Sequence, residues 1–427
     1  MLKKSVAVGI ILLFLISSLI PMTSSYSSYE TNKVYIINID ENGTLSGYVN
    51  DPAMNPIEGA RVRVYFHETY EENYTNCYGY YNVTNIPICY CLKNATASKD
   101  GYKTEWVLLA ISENTTYDFV LTPLGRTLYV GGNGPDNHSE IQNAIDAAND
   151  GDTVFVYDGV YEENIKVNKT IKLIGENRNT TFIDGGNRRD VVKLTADGIT
   201  VSGFTIRNGG SPFGHAYAGG IRLDPSSNSV ISDNVIIEND LYGIWVLENE
   251  SSHTTISNNI ISGNGKEGQG GLNIWLYQSS HNTISDNIIE KGMGYGLAIC
   301  YWSTNTTVTG NVIADNRMEG IKSRYCYDNN IYGNTIKNNN YFGIRILNAS
   351  ANNVIEHNNF MNNDPMDAFF TITDSSLSNQ WNSNYWGRSR MLPKPVIGYI
   401  KKDISYIPYI PWFTFDWHPA KEPYKIP

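Results

Sequence analysis

The sequence is poor in charge, and positive charge is scarcest. Only 18% of its 427 residues are charged, and 32 Lys and Arg stand against 43 Asp and Glu, a formal net charge of −11. Proteins that hold nucleic acid need clustered Lys and Arg, so a nucleic-acid partner is excluded. Cysteines number five. Cys77, Cys89 and Cys91 lie close together, where one disulfide is expected in an oxidising compartment, with the pairing left open. Cys-x-Cys without a second pair or a nearby His makes a poor zinc site. There is no Met- or His-rich run, and after the first 20 residues no stretch is long and apolar enough to span a bilayer.

That first stretch is the exception. Met1-Leu2-Lys3-Lys4 is basic, Val6 to Ile20 is apolar, and Pro21 opens a Ser- and Tyr-rich segment. This is the pattern of a secretory signal over residues 1–28, cleaved near Ser24 to Ser28, with retention as an anchor the alternative. Residues 29–43 read as a linker. Elsewhere Asn, Thr, Ser, Gly and 30 tyrosines carry the polarity, and eleven Asn-x-Ser/Thr sequons run from Asn42, Asn73, Asn82 and Asn94 to Asn348. Both features fit a secreted or cell-surface glycoprotein.

Residues 44–123 have the grammar of a small β-sandwich. Leu45 to Val49, Ala60 to Tyr65 and Asp118 to Leu121 read as short strands, and Gly59, Asn73, Gly79, Pro87 and Gly101 fall at turn spacing. Gly47-x-Val49, Pro56-Ile57-x-Gly59-Ala60-x-Val62, Gly79-Tyr80-Tyr81 and Ala97-Ser98-Lys99-Asp100-Gly101-Tyr102 resemble the carboxypeptidase regulatory-like, transthyretin-like domains. That resemblance implies a non-catalytic spacer or adhesion module. Leu124 to Arg126 form a very short linker.

From residue 127 to 390 two markers recur. Asn followed two residues later by an aliphatic or aromatic residue appears at Asn234, Asn259, Asn287, Asn311, Asn334 and Asn358. Gly followed by Ile or Leu appears at Gly220, Gly243, Gly271, Gly296, Gly320 and Gly343; both sets are spaced by 23 to 28 residues. A short unit of that length cannot bury a face alone, whereas stacked units share one core. The expectation is an all-β fold, a right-handed parallel β-helix of about nine coils. Asn at the corner tolerates the bend and can bond the next coil's amide as a ladder. Ile141, Ala144, Ile145 and Ala148 fall at helical spacing, so residues 139–149 are expected to cap the first coil, with Ser139 as N-cap. Residues 391–427, rich in Pro and aromatics, are expected to plug the last coil.

Ile141-Gln142-x-Ala144-Ile145-x-Ala147-Ala148, Gly151-Asp152-Thr153-Val154-x-Val156, Gly159-x-Tyr161-x-Glu163 and Ile171-x-Leu173-Ile174-Gly175 resemble the opening of NosD-like β-helix proteins. These belong with carbohydrate-binding and sugar-hydrolase-type β-helices and include many archaeal surface proteins. The resemblance implies the fold and leaves the function open.

Parity on the Gly-initiated strand puts Arg222 and Asp224, Trp245 and Leu247, Asn273 and Trp275, Ala298 and Cys300, Lys322 and Arg324, and Arg345 and Leu347 outward. Long loops over residues 209–219, 263–270 and 291–295 flank this face as a groove would be flanked. Trp245, Trp275 and Tyr277 suit the apolar faces of sugar rings, provided the two tryptophans present open ring faces. Arg222, Asp224, Lys322, Arg324 and Arg345 suit uronate carboxylates or hydroxyls. A hydrolase needs two or three acids within a coil or two, and Asp224 is the only one in these columns. Glu319 with Lys322 and Arg324 is the nearest approach to a calcium-assisted lyase site, with one acid where several are needed. The NosD resemblance implies copper, for which His253 and His281 share a column. That column reads Asn228, His253, His281, Asn305, Asp328 and Asn352, types that tolerate left-handed backbone, so a turn explains them without a metal. Cys300 and Cys326, on adjacent coils, are expected as free thiols. The reading is a secreted or cell-surface protein that binds an extracellular glycan or polysaccharide, or contributes to an envelope or adhesion layer beside other envelope proteins. The alternatives are a polysaccharide lyase or glycoside hydrolase, and a NosD-like copper-associated protein.

Overall fold

A computed structural model describes residues 42–89, 91–210, 218–247, 251–266, 271–348, 350–372, 378–400 and 410–426. The signal sequence and the linker as far as residue 41 lie outside the described residues. The chain divides into two compact units, one running to Lys99 and including Thr104–Leu121, the other comprising Asp100–Lys103 and everything from Thr122.

The first unit holds two four-stranded sheets. In one, Asn42–Asn50 pairs antiparallel with Tyr80–Pro87 and parallel with Asn114–Thr116 and Phe119–Val120. In the other, Thr69–Tyr74, Arg61–Phe66, Leu92–Ser98 and Glu105–Ala110 lie side by side, all antiparallel. Leu45, Val49, Val62, Val64, Tyr81, Ala95 and Ala97 alternate inward and are buried. The open question of pairing resolves as Cys89 to Cys91, with Cys77 exposed and free.

The second unit is a parallel β-helix whose three sheets have 11, 10 and 11 strands. Each full turn adds one strand to each sheet, as in Val230–Ser232, Val235–Ile237 and Tyr242–Leu247, and the coils number about ten rather than nine. Ile231 lies under Ile256, Ile236 under Ile261 and Ile244 under Ile274, all fully buried, so one aliphatic core runs from Val130 to Ile400.

The ends are closed by specific groups. A helix over Ile141–Ala147 covers the first coil, and Ser139 does not cap it. Glu163 does so from a neighbouring coil, its two carboxylate oxygens accepting from the Ile141 and Gln142 N–H groups at 2.8 and 2.9 Å. Negative charge suits this end of a helix dipole. Lys169 Nζ serves the other end, donating to the carbonyls of Ile145, Asp146 and Ala148 at 3.1, 2.7 and 2.6 Å. At the far end Lys394–Ile400 continues the third sheet, and Ile410–Asp416 turns back antiparallel against it. Trp412, Phe413, Phe415 and Trp417 remain exposed, whereas Trp381 and Trp386, just before the tail, are buried at the end of the core with Val396 and Ile400.

The corner asparagines form a ladder. Nδ2 of Asn234 donates to Oδ1 of Asn259 at 3.2 Å, and the same bond recurs through Asn287, Asn311, Asn334 and Asn358 to Asn384. The left-handed bend sits one residue earlier than expected, at Asp233, Asn258, Asp286, His357 and their equivalents. A second ladder runs from Asn239 through Asn264 and on through Asn316 and Asn339 to Asn363.

Candidate functional site

Strand register turns the outer face of the third sheet into two columns. One reads Lys193, Arg222, Trp245, Trp275, Ala298, Lys322, Arg345, Phe369 and Ile397. Beside it run Leu247, Tyr277, Cys300, Arg324 and Leu347, with Thr371 against Tyr399 further up. The structure therefore brings the sequence-derived residues onto one face, spread over several coils.

At the lower end Arg222 Nη2 meets Asp224 Oδ2 at 2.7 Å, and Lys193 Nζ meets the same oxygen at 3.2 Å. Arg222 Nη1 lies 3.9 Å from Asp190 Oδ2. Asp190 Oδ1 accepts from the Gly219 N–H at 2.9 Å and from the Tyr242 hydroxyl. Burial pushes the Asp190 carboxyl above its ordinary value, against the opposing pull of Tyr242, Gly219 and Arg222. Burial, with Asp190 beside it, also raises the Tyr242 hydroxyl. Asp190, Lys193 and Tyr242 were not singled out from sequence. Lys193 is simply the Arg222 column continued one coil down, and that extension would have found it.

Next comes an aromatic block, and here the expected open platform is corrected. Trp245 is only 7% exposed. Its ring stacks on Trp275 at 4.7 Å and 6°, Arg222 lies 5.0 Å from its centroid, and Tyr242 packs edge-on at 5.1 Å. Residues one coil apart in a parallel column cover each other's faces, so Trp245 has no ring face to offer. Trp275 and Tyr277 are half-buried, 5.6 Å apart and edge to face. Asn273 is corrected too: it is fully buried and its side chain enters the second Asn ladder.

Toward the upper end the face opens into a cavity of about 660 Å³, lined by Arg324, Arg345, Leu347, Phe369, Thr371 and Tyr399. Arg345 is anchored through Nη1 to Oε1 of the fully buried Glu319 at 3.0 Å, and lies 5.7 Å from the Phe369 ring centroid. Arg324 lies 5.5 and 5.3 Å from the rings of Tyr301 and Tyr325, with no carboxylate partner among the described residues. Lys322 is turned elsewhere, with Nζ 2.5 Å from the Tyr295 hydroxyl and 4.0 Å from its ring centroid. Glu319, Lys322 and Arg324 thus have three different sets of partners and do not form one acid–base group. Phe369 and Tyr399 were missed because the outward columns were followed only as far as Arg345 and Leu347.

The metal reading can be tested on the donors themselves. His253 and His281 stack 4.8 Å apart and 3° from parallel. Imidazole lone pairs lie in the ring plane, so two parallel rings cannot point them at one ion. Both residues have positive φ, as do Asn228, Asn305, Asp328 and Asn352 in the same column. Among the described residues no three His, Cys, Asp or Glu side chains gather as a metal site. Among the described residues, then, the donors do not converge on a copper ion or on a carboxylate-bound calcium. Cys300 and Cys326 are buried free thiols; Cys326 takes the ladder place of a serine, its N–H donating to Ser350 Oγ at 3.0 Å as Ser279 N–H donates to Ser303 Oγ at 3.2 Å.

Comparison with known proteins finds two family models. Residues 135–313 match the right handed beta helix region, and residues 269–391 match the periplasmic copper-binding protein NosD. No curated protein sequence matches. Among solved structures, the A-module of the Azotobacter vinelandii mannuronan C-5 epimerase AlgE4 is 18% identical, covering 60% of this chain and 87% of its own at a TM-score of 0.46. The A-module of the AlgE6 epimerase from the same organism is 17% identical over 58% and 83% at 0.44. Pectate lyase Pel9A is 15% identical over 61% and 80% at 0.43.

Proposed function

The chain belongs to the NosD-like family of right-handed parallel β-helices, and from that premise we propose that it is an exported protein that binds an anionic polysaccharide along the third sheet, at the cavity between Arg324 and Arg345. The single observation that carries this reading is the pairing at that cavity of two guanidinium groups on adjacent coils with Phe369 and Tyr399. A guanidinium presents a planar fork to a carboxylate, and an aromatic ring covers the apolar face of a sugar. Export is supported by the basic-then-apolar start of the sequence and by the periplasmic description of the matched NosD model. The same reading makes the first unit a spacer or adhesion module, and allows other envelope proteins as neighbours.

The test is retention of the protein on a panel of immobilised polysaccharides, uronate-rich and neutral. Uronate polymers should retain it and neutral ones should not. Arg324→Ala should weaken retention by about ten-fold or more, the scale of one lost charge-assisted hydrogen bond. Equal retention of parent and variant would remove the reading. A second reading, a polysaccharide lyase or glycoside hydrolase, is favoured by one observation, the Asp190, Arg222, Asp224, Lys193 and Tyr242 cluster. Assaying the same panel for new reducing ends and unsaturated products separates turnover from binding.

A further inference from the structure

In the first unit, the outward face of the Thr69–Tyr74, Arg61–Phe66, Leu92–Ser98 and Glu105–Ala110 sheet is unusually apolar for a surface. Trp106 is 64% exposed, Leu108 50% and Tyr65 38%, and Tyr70 and Leu92 are exposed as well. Contiguous apolar surface on so small a unit calls for something to cover it.

The register shows what stands in the middle. Asn94 lies directly between Leu108 on one neighbouring strand and Tyr65 on the other, with Tyr70 beyond Tyr65. Two residues along, Thr96 lies opposite Trp106 and Arg63. Asn94-Ala95-Thr96 is a sequon. Directly opposite side chains in an antiparallel pair stand about 5 Å apart, so the Asn94 amide is ringed by apolar and aromatic groups at the width of a single sugar. That amide is exposed and makes no hydrogen bond among the described residues. A sequon two strands away differs: Nδ2 of Asn73 is already committed to the Asn82 carbonyl at 2.7 Å.

We propose that Asn94 is an N-glycosylation site whose first sugars lie on Tyr65, Leu108 and Trp106, so that the glycan is the cover this face lacks. The apolar face of a pyranose against an aromatic ring is the same contact that lets amphipathic rings bind sugars. The donor is a polyprenyl-phosphate- or pyrophosphate-linked glycan supplied by the exporting cell. Nδ2 of Asn94 forms a bond to the sugar's anomeric carbon, the bond from that carbon to the phosphate oxygen breaks with its electron pair going to the phosphate, and one amide proton passes to a base on the transferase. The inference goes beyond polysaccharide binding by the β-helix and does not depend on it.

The experiment is peptide mass spectrometry on the full chain isolated from its own cells, with Asn94→Gln as the variant. The peptide holding Asn94 should carry a glycan mass that the variant loses. The variant should also bind an apolar fluorescent dye several-fold more than the parent, because the face is uncovered. A second variant, Leu108→Thr, keeps the sequon and should leave the glycan mass in place while lowering dye binding in the Asn94→Gln background. Recovery of the Asn94 peptide at its unmodified mass overturns the proposal, whether or not other sequons are occupied. A glycan at Asn94 with unchanged dye binding in Asn94→Gln overturns the covering role. Self-association of the native chain through this face, with Asn94 bare, would assign the cover to a second copy instead.

Discussion

Asn273 and Gly292 have exchanged the residues that every neighbouring coil has in the opposite order. On the third sheet Gly220, Gly243, Gly296, Gly320 and Gly343 each face a ladder asparagine of the next coil, respectively Asn239, Asn264, Asn316, Asn339 and Asn363. A Cβ at any of these glycines would come within 2.7 to 3.0 Å of that asparagine's side chain. At one place along the stack the strand carries Asn273 and the ladder position of the next coil carries Gly292. Asn273 reaches across to fill the rung, accepting from Asn264 Nδ2 at 2.9 Å and donating to Asn316 Oδ1 at 3.1 Å.

Each half of the exchange should therefore be harmful alone. Asn273→Ala leaves buried amide groups of the ladder unpaired, at about 1–3 kcal/mol. Gly292→Asn puts a Cβ 2.9 Å from Asn273 Nδ2. Asn273→Gly combined with Gly292→Asn restores the arrangement of the other coils and should recover most of the loss. Denaturant melts of the two singles and the double form a cycle, and simple additivity would refute the relationship.

Trp245 behaves in this structure as an outer core residue. Trp245→Ala should cost about 3–5 kcal/mol, the range for losing a large buried aromatic side chain, and Trp275→Ala, half-buried, should cost less. Chemical denaturation decides it. A loss below 1 kcal/mol for Trp245→Ala would return that ring to the list of open sugar contacts.

Thiol chemistry should be sharply uneven. Burial pushes Cys300 up to about 11 and Cys326 up to about 12, while Cys77 is exposed and free. Thiolate is the reactive form, so iodoacetamide at pH 8 should label Cys77 alone in the native protein, and Cys300 and Cys326 only after unfolding. Labelling of Cys300 at a comparable rate, read by peptide mass, would contradict the burial described here.

Acid should weaken the junction between helix and first coil. Burial alone would raise the Asp152 carboxyl, but the Asn149 N–H, at 2.8 Å, and the N–H and guanidinium of Arg126, each at 2.9 Å, hold it below its ordinary value. A depressed carboxyl stabilises the fold above its unfolded-state value, about 3.9, and that stabilisation is lost as pH falls through the lower native value. The melting-temperature gap between parent and Asp152→Asn should be full near pH 6 and shrink below about pH 4. A gap that does not change with pH would show that the carboxylate's charge is immaterial.

Much of this was legible because the β-helix repeats itself. The corner asparagines from Asn234 to Asn358 kept phase, and the ladder followed from amide chemistry. The column containing His253 and His281 was readable as a left-handed turn because its other members are Asn and Asp. Contacts that cross coils were not legible. Glu163 caps a helix some 20 residues earlier in the chain, which a search for a local N-cap does not find. Strict alternation sent Asn273 outward because the pairing between Tyr242–Leu247 and Leu272–Tyr277 skips Gly243 and Asn273. Gly271, two residues earlier, took the marker's place in the count. Outward parity also says nothing about covering, and Trp245 is covered by the members of its own column.

The first ladder has a direction. Every side-chain amide from Asn234 to Asn384 donates one N–H toward the C-terminal end, and the last one gives it to Asp416, whose carboxylate also takes the N–H groups of Ser383 and Asn384 and the Trp386 indole. A carboxylate accepts and has no hydrogen to pass on. The relay that could otherwise be continued by any further coil, including one from a neighbouring molecule, has a terminus written into a single side chain. Stacked coils are in principle a polymer of indefinite length, and at Asp416 the asparagine relay that could lead into another coil ends.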